Sequence, residues 1–504
     1  MQKPWFQNYP DGVPHDIKPE QYRSLTQLLE ESFKKHASRP FSVCMEQWMR
    51  YGELDDFSAA LGAWLQAQGL EPGTRVAIML PNVPQFPVTM AAVLRAGYTC
   101  VNVNPLYTPR ELAHQLKDSG ATAIVILENF AGTLAEVIGQ TSIKHVVVAS
   151  MGDLMGFWYG KWLTFAVRHL AKMVPPFKLP LANGLKVTSF KSALTQGMSL
   201  SLKPAAATLD SIAFLQYTGG TTGLSKGAVL THRNIVAAIL QSEAWFSPAL
   251  TRLGDISKTN SVAALPLYHI FALTLCLGAI RWGSMVTMIP NPRDFGGFIA
   301  TLKKRPFHML PAVNTLFNAL LQHPQFKTVD FSQLYVSQAG GMAASEGTAK
   351  AWLAATGCPM IEGWGMSETC AIGTNNPVTS TTFSGTIGLP LPGVQPAPTR
   401  PMILTPEVAG LLARGEEALS RGDVATARLR GYEVTPAAPG GPQDYRFWLP
   451  VQNNPGGTAT GYGEPTLDPT SHKTTVATRG SNCQNVPVAN VPTAASSPNG
   501  DRTL

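Results

Sequence analysis

Two hydrophobic periods alternate along residues 20 to 150. Apolar positions three and four apart run through 52–68 (GELDDFSAALGAWLQAQ), which predicts a helix stopped by Gly69. The run RVAIML follows, short enough for a buried strand. The alternation repeats with a helix over 84–95 before CVNVN, a helix over 109–118, and strands in ATAIVIL and KHVVVAS. Helix 109–118 has the firmest start. Thr108 offers a capping oxygen, Pro109 a preset φ where no N–H is needed, and Glu111 a carboxylate that reaches back. Residues 207–395 return to the same rhythm, with SIAFLQYT, SVAALPLYHI, SMVTMI and QLYVSQAGG as strands. Strand and helix taken in turn predict parallel sheets covered by helices. The expected fold class is α/β: a large N-terminal region, 1–395, of layered, mostly parallel sheets with flanking helices, divisible into subdomains 20–205 and 206–395.

Two stretches break the rhythm. Residues 151–182 mix Trp, Phe, Leu and Val with Lys161, Arg168, His169 and Lys172. That composition suits either a helix packed on the core with a solvated basic face or a basic helix lying on an anionic membrane surface. Beyond 395 the character changes outright. Pro and Gly supply 26 of the last 109 residues, Lys473 is the only lysine there, and periodic apolar spacing stops after a helix-compatible stretch at 404–432. Such a tail is expected to be largely disordered.

Composition narrows the function without choosing it. With 44% hydrophobic residues the 504-residue chain can bury more than one core, while charged residues are only 14% and the net charge is +7. A mild basic excess suits an anionic ligand or surface. The absence of Lys/Arg runs interleaved with aromatics argues against nucleic acid. Six scattered cysteines without metal-like spacing read as reduced thiols. The N-terminus lacks an apolar run after a basic start, and no stretch reaches the roughly 18 apolar residues of a spanning helix. The expected location is cytoplasmic, with peripheral contact on an inner membrane surface through 151–182 as the alternative; a homodimer stays open.

The chemistry concentrates in QYTGGTTGLSKGAVLTHRN, 216–234. It fails the usual phosphate-loop spacing, because Lys226 stands between Ser225 and Gly227 rather than after a glycine and before Ser or Thr. Its flanks read as strands, so the loop is expected to join a hairpin. It can still hold phosphate: Gly219, Gly220 and Gly223 let backbone N–H groups converge, Thr218, Thr221, Thr222 and Ser225 offer hydroxyls, and Lys226 adds charge. A flexible Gly/Thr hairpin without a ligand is the rival reading.

Three further stretches follow in order: ALPLYHIFAL at 264–273, SQAGGM at 337–342 and EGWGMSET at 362–369. Together with the loop they resemble the signatures of the adenylate-forming superfamily, which includes acyl-CoA synthetases, luciferases and adenylation domains. The segment 79–121 is similar to the bacterial long-chain fatty-acid CoA ligases within it. The resemblance implies an acyl-CoA synthetase-like fold and ATP, Mg²⁺ and coenzyme A as cofactor, metal and co-substrate. It also implies roles. Thr218 to Lys226 would contact pyrophosphate, Thr218 and Glu368 would hold Mg²⁺, and His269 would occupy the gating position. Gly340 and Gly341 would line the adenine pocket, and Glu362, Gly363, Trp364, Gly365, Met366 and Ser367 would form the diagnostic motif, with Trp364 stacked on adenine and Ser367 at the α-phosphate. Lys226, Glu368 and His269 are the residues expected to act in catalysis. On composition alone Trp364 and His269 read equally as core and Glu368 as a surface charge.

The reaction implied is attack of a fatty carboxylate on the α-phosphorus of ATP, then displacement of AMP by the coenzyme A thiol. The partners expected are therefore fatty acid, ATP and coenzyme A; the apolar stretch 262–283 could line an acyl tunnel or simply pack. The resemblance stops at Val394. Past it the family carries a ribose-binding Asp, a hinge and an α+β domain with a second lysine, none of which 396–504 displays. Out-of-frame translation from about residue 395 is the expected cause, and impaired activity the expected result. An adenylate-former for another acid, and a nucleotide or acyl binder without turnover, are the alternative functions.

Overall fold

The computed structural model describes residues 3–180, 184–218 and 225–394, with six short strands between 432 and 487. The chain divides into two compact units, 1–218 with 227–395, and 219–226 with 396–504.

Two sheets organise the first unit. One has seven strands: β3 (Arg75–Met79), β4 (Thr99–Asn102), β5 (Ala123–Leu127), β6 (His145–Ala149), β7 (Lys186–Ser189), β8 (Ile212–Thr218) and β9 (Lys226–Thr231), in the order β7-β6-β5-β3-β4-β8-β9. From β7 through β8 every pairing is parallel. The other has nine: β1 (Pro40–Cys44), β2 (Gln47–Arg50), β10 (Asn260–Ala263), β11 (Met285–Met288), β12 (Met309–Ala312), β13 (Val336–Ala339), β14 (Met360–Trp364), β15 (Thr374–Asn375) and β16 (Leu389–Pro390), ordered β16-β15-β14-β13-β12-β10-β11-β1-β2. Its middle is parallel and both ends turn antiparallel.

Strand alternation separates three cores. In β3, Val76 and Ile78 enter the largest, while Ala77 and Met79 face the opposite side. The largest core also takes Phe41 of β1, Val286 and Met288 of β11 and Phe214 of β8, so it lies between the sheets. It is filled by helices Leu25–Lys35, Tyr51–Ala67, Gln85–Arg95, His232–Leu250 and Ile270–Trp282, including fully buried Phe33, Tyr51 and Trp245. The outer face of the nine-stranded sheet is covered around Phe317 and Trp352, and that of the seven-stranded sheet around Leu112, Leu116 and Leu134. The result is five layers: helices, sheet, helices, sheet, helices. Mostly parallel sheets need both faces covered, which is why their strands read as continuous apolar runs.

The expected elements are found, with two strands shortened. That expected over QLYVSQAGG is extended only over Val336–Ala339. Helix Pro109–Ser119 starts as anticipated: Thr108 Oγ1 accepts from the Glu111 N–H and Glu111 Oε2 accepts from the Thr108 N–H. The strand expected over SVAALPLYHI ends at Ala263. Pro266 lacks an N–H for a ladder, and residues 264–269 leave the sheet as a loop. Segment 151–180 forms the helix Phe157–Phe165 continued by a π turn, Ala166–Leu170. Its outward side is not merely the solvated basic face of a packed helix, because Phe157, Trp158, Trp162 and Phe165 are exposed there. No described helix is long and apolar enough to cross a membrane. Cys44, Cys100, Cys276, Cys358 and Cys370 are buried free thiols.

In the second unit the described residues of the tail are short strands; Tyr462–Leu467 pairs antiparallel with Thr474–Thr478, whose β-branched TTVAT suits a strand. The remaining expectation of disorder, the helix-compatible stretch 404–431 and the loop residues Gly219, Gly220, Thr221, Thr222 and Gly223 lie outside the described residues.

Candidate active site

The site stands where parallel strands of the nine-stranded sheet end, as expected for ligand sites of α/β sheets. A narrow cleft with about 30 Å³ of free room is lined by residues from three of the sequence segments. His269, Ile270 and Phe271 come from the start of helix Ile270–Trp282, Gln338, Gly340 and Gly341 from the end of β13, and Gly363, Trp364, Gly365 and Met366 from β14 and the turn after it. Ala371 and Ile372 close the wall. Seven of the expected residues therefore meet in one cleft.

Each wall has a local cause. His269 caps its helix, its Nδ1 accepting the Phe271 N–H at 3.3 Å. The ring keeps an accessible edge although protein surrounds most of it, and that burial lowers its pKa, favouring the neutral imidazole. Phe271 presses on Gly340: a Cβ there would sit 3.0 Å from the ring. Gly341 has φ +77°, the left-handed turn that sends the chain away from β13. Trp364 is 38% exposed, lines the cleft and lies against Gly373, where a Cβ would sit 3.1 Å from the ring. Cys370 and Ala371 hold φ of 54° and 96°, strained values for residues with a side chain, next to the Ser367–Thr369 turn.

Other expected residues do not line the cleft. Glu362 is buried one residue before the lining, Ser367 is buried at the start of its turn, and Glu368 is exposed. Strand β8, which ends at half-buried Thr218, packs against the Ser367–Thr369 turn. Ser225 is half-buried, and Lys226 is exposed at the first position of β9.

Sequence reading missed the amides that hold this geometry. Gln338 and Asn375 bond each other across β13, β14 and β15. Asn376 donates to the Glu362 carbonyl at 2.8 Å, and Trp245 Nε1 donates to the Asn376 carbonyl at 3.0 Å. Gln216 of β8 donates to the Tyr268 carbonyl at 2.9 Å and accepts from Asn102 of β4 at 3.0 Å. Asn82 donates to the carbonyls of Ala263 and Leu265 and accepts the Leu267 N–H. The signal available was an amide inside an apolar run, as in AFLQYT and YVSQAGG, since a buried amide must find partners.

Behind the cleft, under the same helix, lies a second, narrow pocket with about 20 Å³ of free room. Its walls are almost wholly apolar, formed by Val262, Ala263, Leu265, Ala272, Leu275 and Cys276 with Val286 and Pro311.

Donor chemistry can be compared with the groups expected here. Trp364 lines the cleft with a partly exposed aromatic ring, a group that suits a purine. The described residues contain no cluster of three His, Cys, Asp or Glu able to cage a metal. One carboxylate, Glu368, and one hydroxyl, Thr218, match instead a hard cation that keeps phosphate oxygens among its ligands, as Mg²⁺ does.

Five layers and a glycine-rich cleft at strand ends define a nucleotide-binding α/β enzyme. The family model described as "AMP-binding enzyme" matches residues 29–415, and the chain belongs to that family. It is 44% identical over 397 residues to a long-chain-fatty-acid--CoA ligase of Salmonella typhi, a match covering 78% of this chain and 69% of that protein. Among solved structures it resembles the long-chain-fatty-acid-CoA ligase FadD1 of Archaeoglobus fulgidus, with a TM-score of 0.60, 21% identity and coverage of 76% and 71%. The anthranilate CoA ligase AuaEII, solved with anthranoyl-AMP, gives a TM-score of 0.62 at 19% identity, covering 74% of this chain and 66% of that one. The family match runs past Val394, where the motif resemblance ends.

Proposed function

We propose that the chain activates long-chain fatty acids with ATP, forming an acyl-adenylate and pyrophosphate and then an acyl-CoA. The observation that carries this reading is the pair of pockets along helix Ile270–Trp282, a glycine-lined cleft bordered by the partly exposed Trp364 and a narrow apolar pocket behind it. A nucleotide and an alkyl chain need those two environments side by side.

The chain's own residues would divide the work. Trp364 and the backbone of Gly340 and Gly363 hold the base, while the cleft-facing edge of neutral His269 sits between the nucleotide and the apolar pocket. The carboxylate enters as an anion, so repulsion from the triphosphate must be offset before the oxygen can reach phosphorus. Lys226 and the hydroxyls of Thr218 and Ser225 supply positive charge and donors to the departing pyrophosphate. Glu368 and Thr218 would hold Mg²⁺, which when bound neutralises charge on the phosphates. Coenzyme A would then take the acyl group from AMP.

Pyrophosphate exchange and thioester formation with oleate test the two halves separately. Oleate-dependent exchange followed by oleoyl-CoA is the expected outcome, each at a reduced rate because residues 396–504 do not display the second lysine that the family resemblance implies. Exchange only with aryl or short acids would overturn the substrate class, and ATP binding without exchange would reduce the protein to a binder.

A further inference from the structure

The outer side of strand β8 carries a contact that the cleft does not use. Side chains alternate along the strand, so Gln216 turns to the Tyr268 carbonyl while Leu215 and Tyr217 enter the outer core with Leu112 and Leu116 of helix Pro109–Ser119. Tyr217 is the last residue of β8 in that core, and Thr218 ends the strand directly after it. The ring also reaches β9, the neighbouring strand. A Cβ on Gly227 would sit 3.0 Å from the Tyr217 ring, so the residue that follows Lys226 must be small for the strands to close over this phenol. A single side chain thus stands one residue from Thr218 along one strand and against the neighbour of Lys226 on the other.

The phenol is held by a carboxylate 99 positions earlier in the chain. Tyr217 Oη donates to Asp118 Oδ2 at 2.6 Å, the length of a charge-assisted bond. Burial, with the Asp118 carboxylate beside it, holds the phenol well above its ordinary pKa, so the proton stays on Tyr217 and the carboxylate accepts. Asp118 stands against local preference. It occupies the last turn of helix Pro109–Ser119, where the helix dipole favours a cation and Asp is a poor helix former. The helix gains nothing from this carboxylate; its bond serves the end of β8. Without it the Tyr217 ring keeps its apolar packing but loses the fixed point that sets its hydroxyl end.

We propose that Asp118 is a positioning residue for triphosphate binding, acting through Tyr217 to fix the ends of β8 and β9, and with them Thr218 and Lys226, for the pyrophosphate part of ATP. This rests on the role given above to Thr218 and Lys226, and on neither the acid activated nor turnover. The test is calorimetric titration of the full chain with ATP and with AMP, each in the presence of Mg²⁺. AMP lacks the two phosphates concerned and reports on the Trp364 cleft alone. Asp118→Ala and Tyr217→Phe should each weaken ATP binding about ten-fold and leave AMP binding within about two-fold of the natural protein. Asp118→Asn, whose amide oxygen still accepts, should keep most of the ATP affinity. Asp118→Ala combined with Tyr217→Phe should bind ATP no more weakly than Tyr217→Phe alone, because both remove the same bond. ATP affinity unchanged in both single variants, equal losses for ATP and AMP, additive losses in the double variant, or a natural protein that binds ATP no tighter than AMP would overturn the proposal. ATP affinity that depends on Asp118 in a protein without pyrophosphate exchange would support it while overturning the proposed function.

Discussion

Gln338 and Asn375 bond each other reciprocally, Gln338 Nε2 donating to Asn375 Oδ1 at 3.1 Å and Asn375 Nδ2 donating to Gln338 Oε1 at 3.0 Å. Both are buried and both lie within reach of the cleft, since Gln338 lines it and a Cβ on Gly363 would meet each of them within 3.0 Å. The pair therefore fixes where β13 stands relative to the Trp364 segment. Asn375→Leu strands the Gln338 amide without that partner and should cost about 2 kcal/mol of stability, with weaker ATP binding. Chemical denaturation and ATP titration of the variant check both effects.

Glu368 and Lys226 are exposed, so their substitution should separate chemistry from folding. Glu368→Gln and Lys226→Ala are each expected to leave stability within about 0.5 kcal/mol and to reduce oleate-dependent pyrophosphate exchange by roughly 10²-fold. A full rate in either variant would remove that residue from the proposed site.

Ala272 lines the apolar pocket and is itself buried. Ala272→Phe projects a ring into this narrow pocket and closes it to an alkyl chain, and should shift preference from oleate toward octanoate, read as the ratio of the two thioester-forming rates. An unchanged ratio would mean that the alkyl chain lies elsewhere.

His232 supplies a pH dependence of stability. Its Nδ1 accepts the Leu25 N–H at 3.1 Å, and burial lowers its pKa from 6.5 to about 4. The fold prefers the neutral ring and the unfolded chain takes the proton first. The stabilisation is thus complete above about pH 6.5 and is lost as pH falls toward 4, amounting to about 3 kcal/mol. Unfolding midpoints over that range should fall steeply in the natural protein and less so in His232→Gln.

The fold was legible where local chemistry and burial agreed. Helix Pro109–Ser119 follows from Thr108, Pro109 and Glu111 alone, and the buried strands β3, β5 and β6 announce themselves as β-branched and aliphatic runs. SVAALPLYHI misled because its apolar residues are buried both in the strand and in the loop after it, and only Pro266 marks the exit. The site was legible as four motifs in order, three of which meet in the described cleft. Its supports were not, because Asn82, Gln216 and Asn375 act through partners more than 30 residues away, and no local pattern reveals a long-range amide pair. Which side of the helix Phe157–Phe165 faces outward was left open between two readings for a related reason: it is decided by the close approach of Gly152 and Gly160, not by periodicity.

The three bonds of Asn82 tie a loop of the seven-stranded sheet to residues 263–267, which lead from β10 into the His269 turn. Sliding one sheet past the other would have to break all three at once, in a setting where water cannot replace them. The mouth of the cleft is consequently preorganised: its shape belongs to the apo fold, and a ligand's binding energy need not be spent on assembling it.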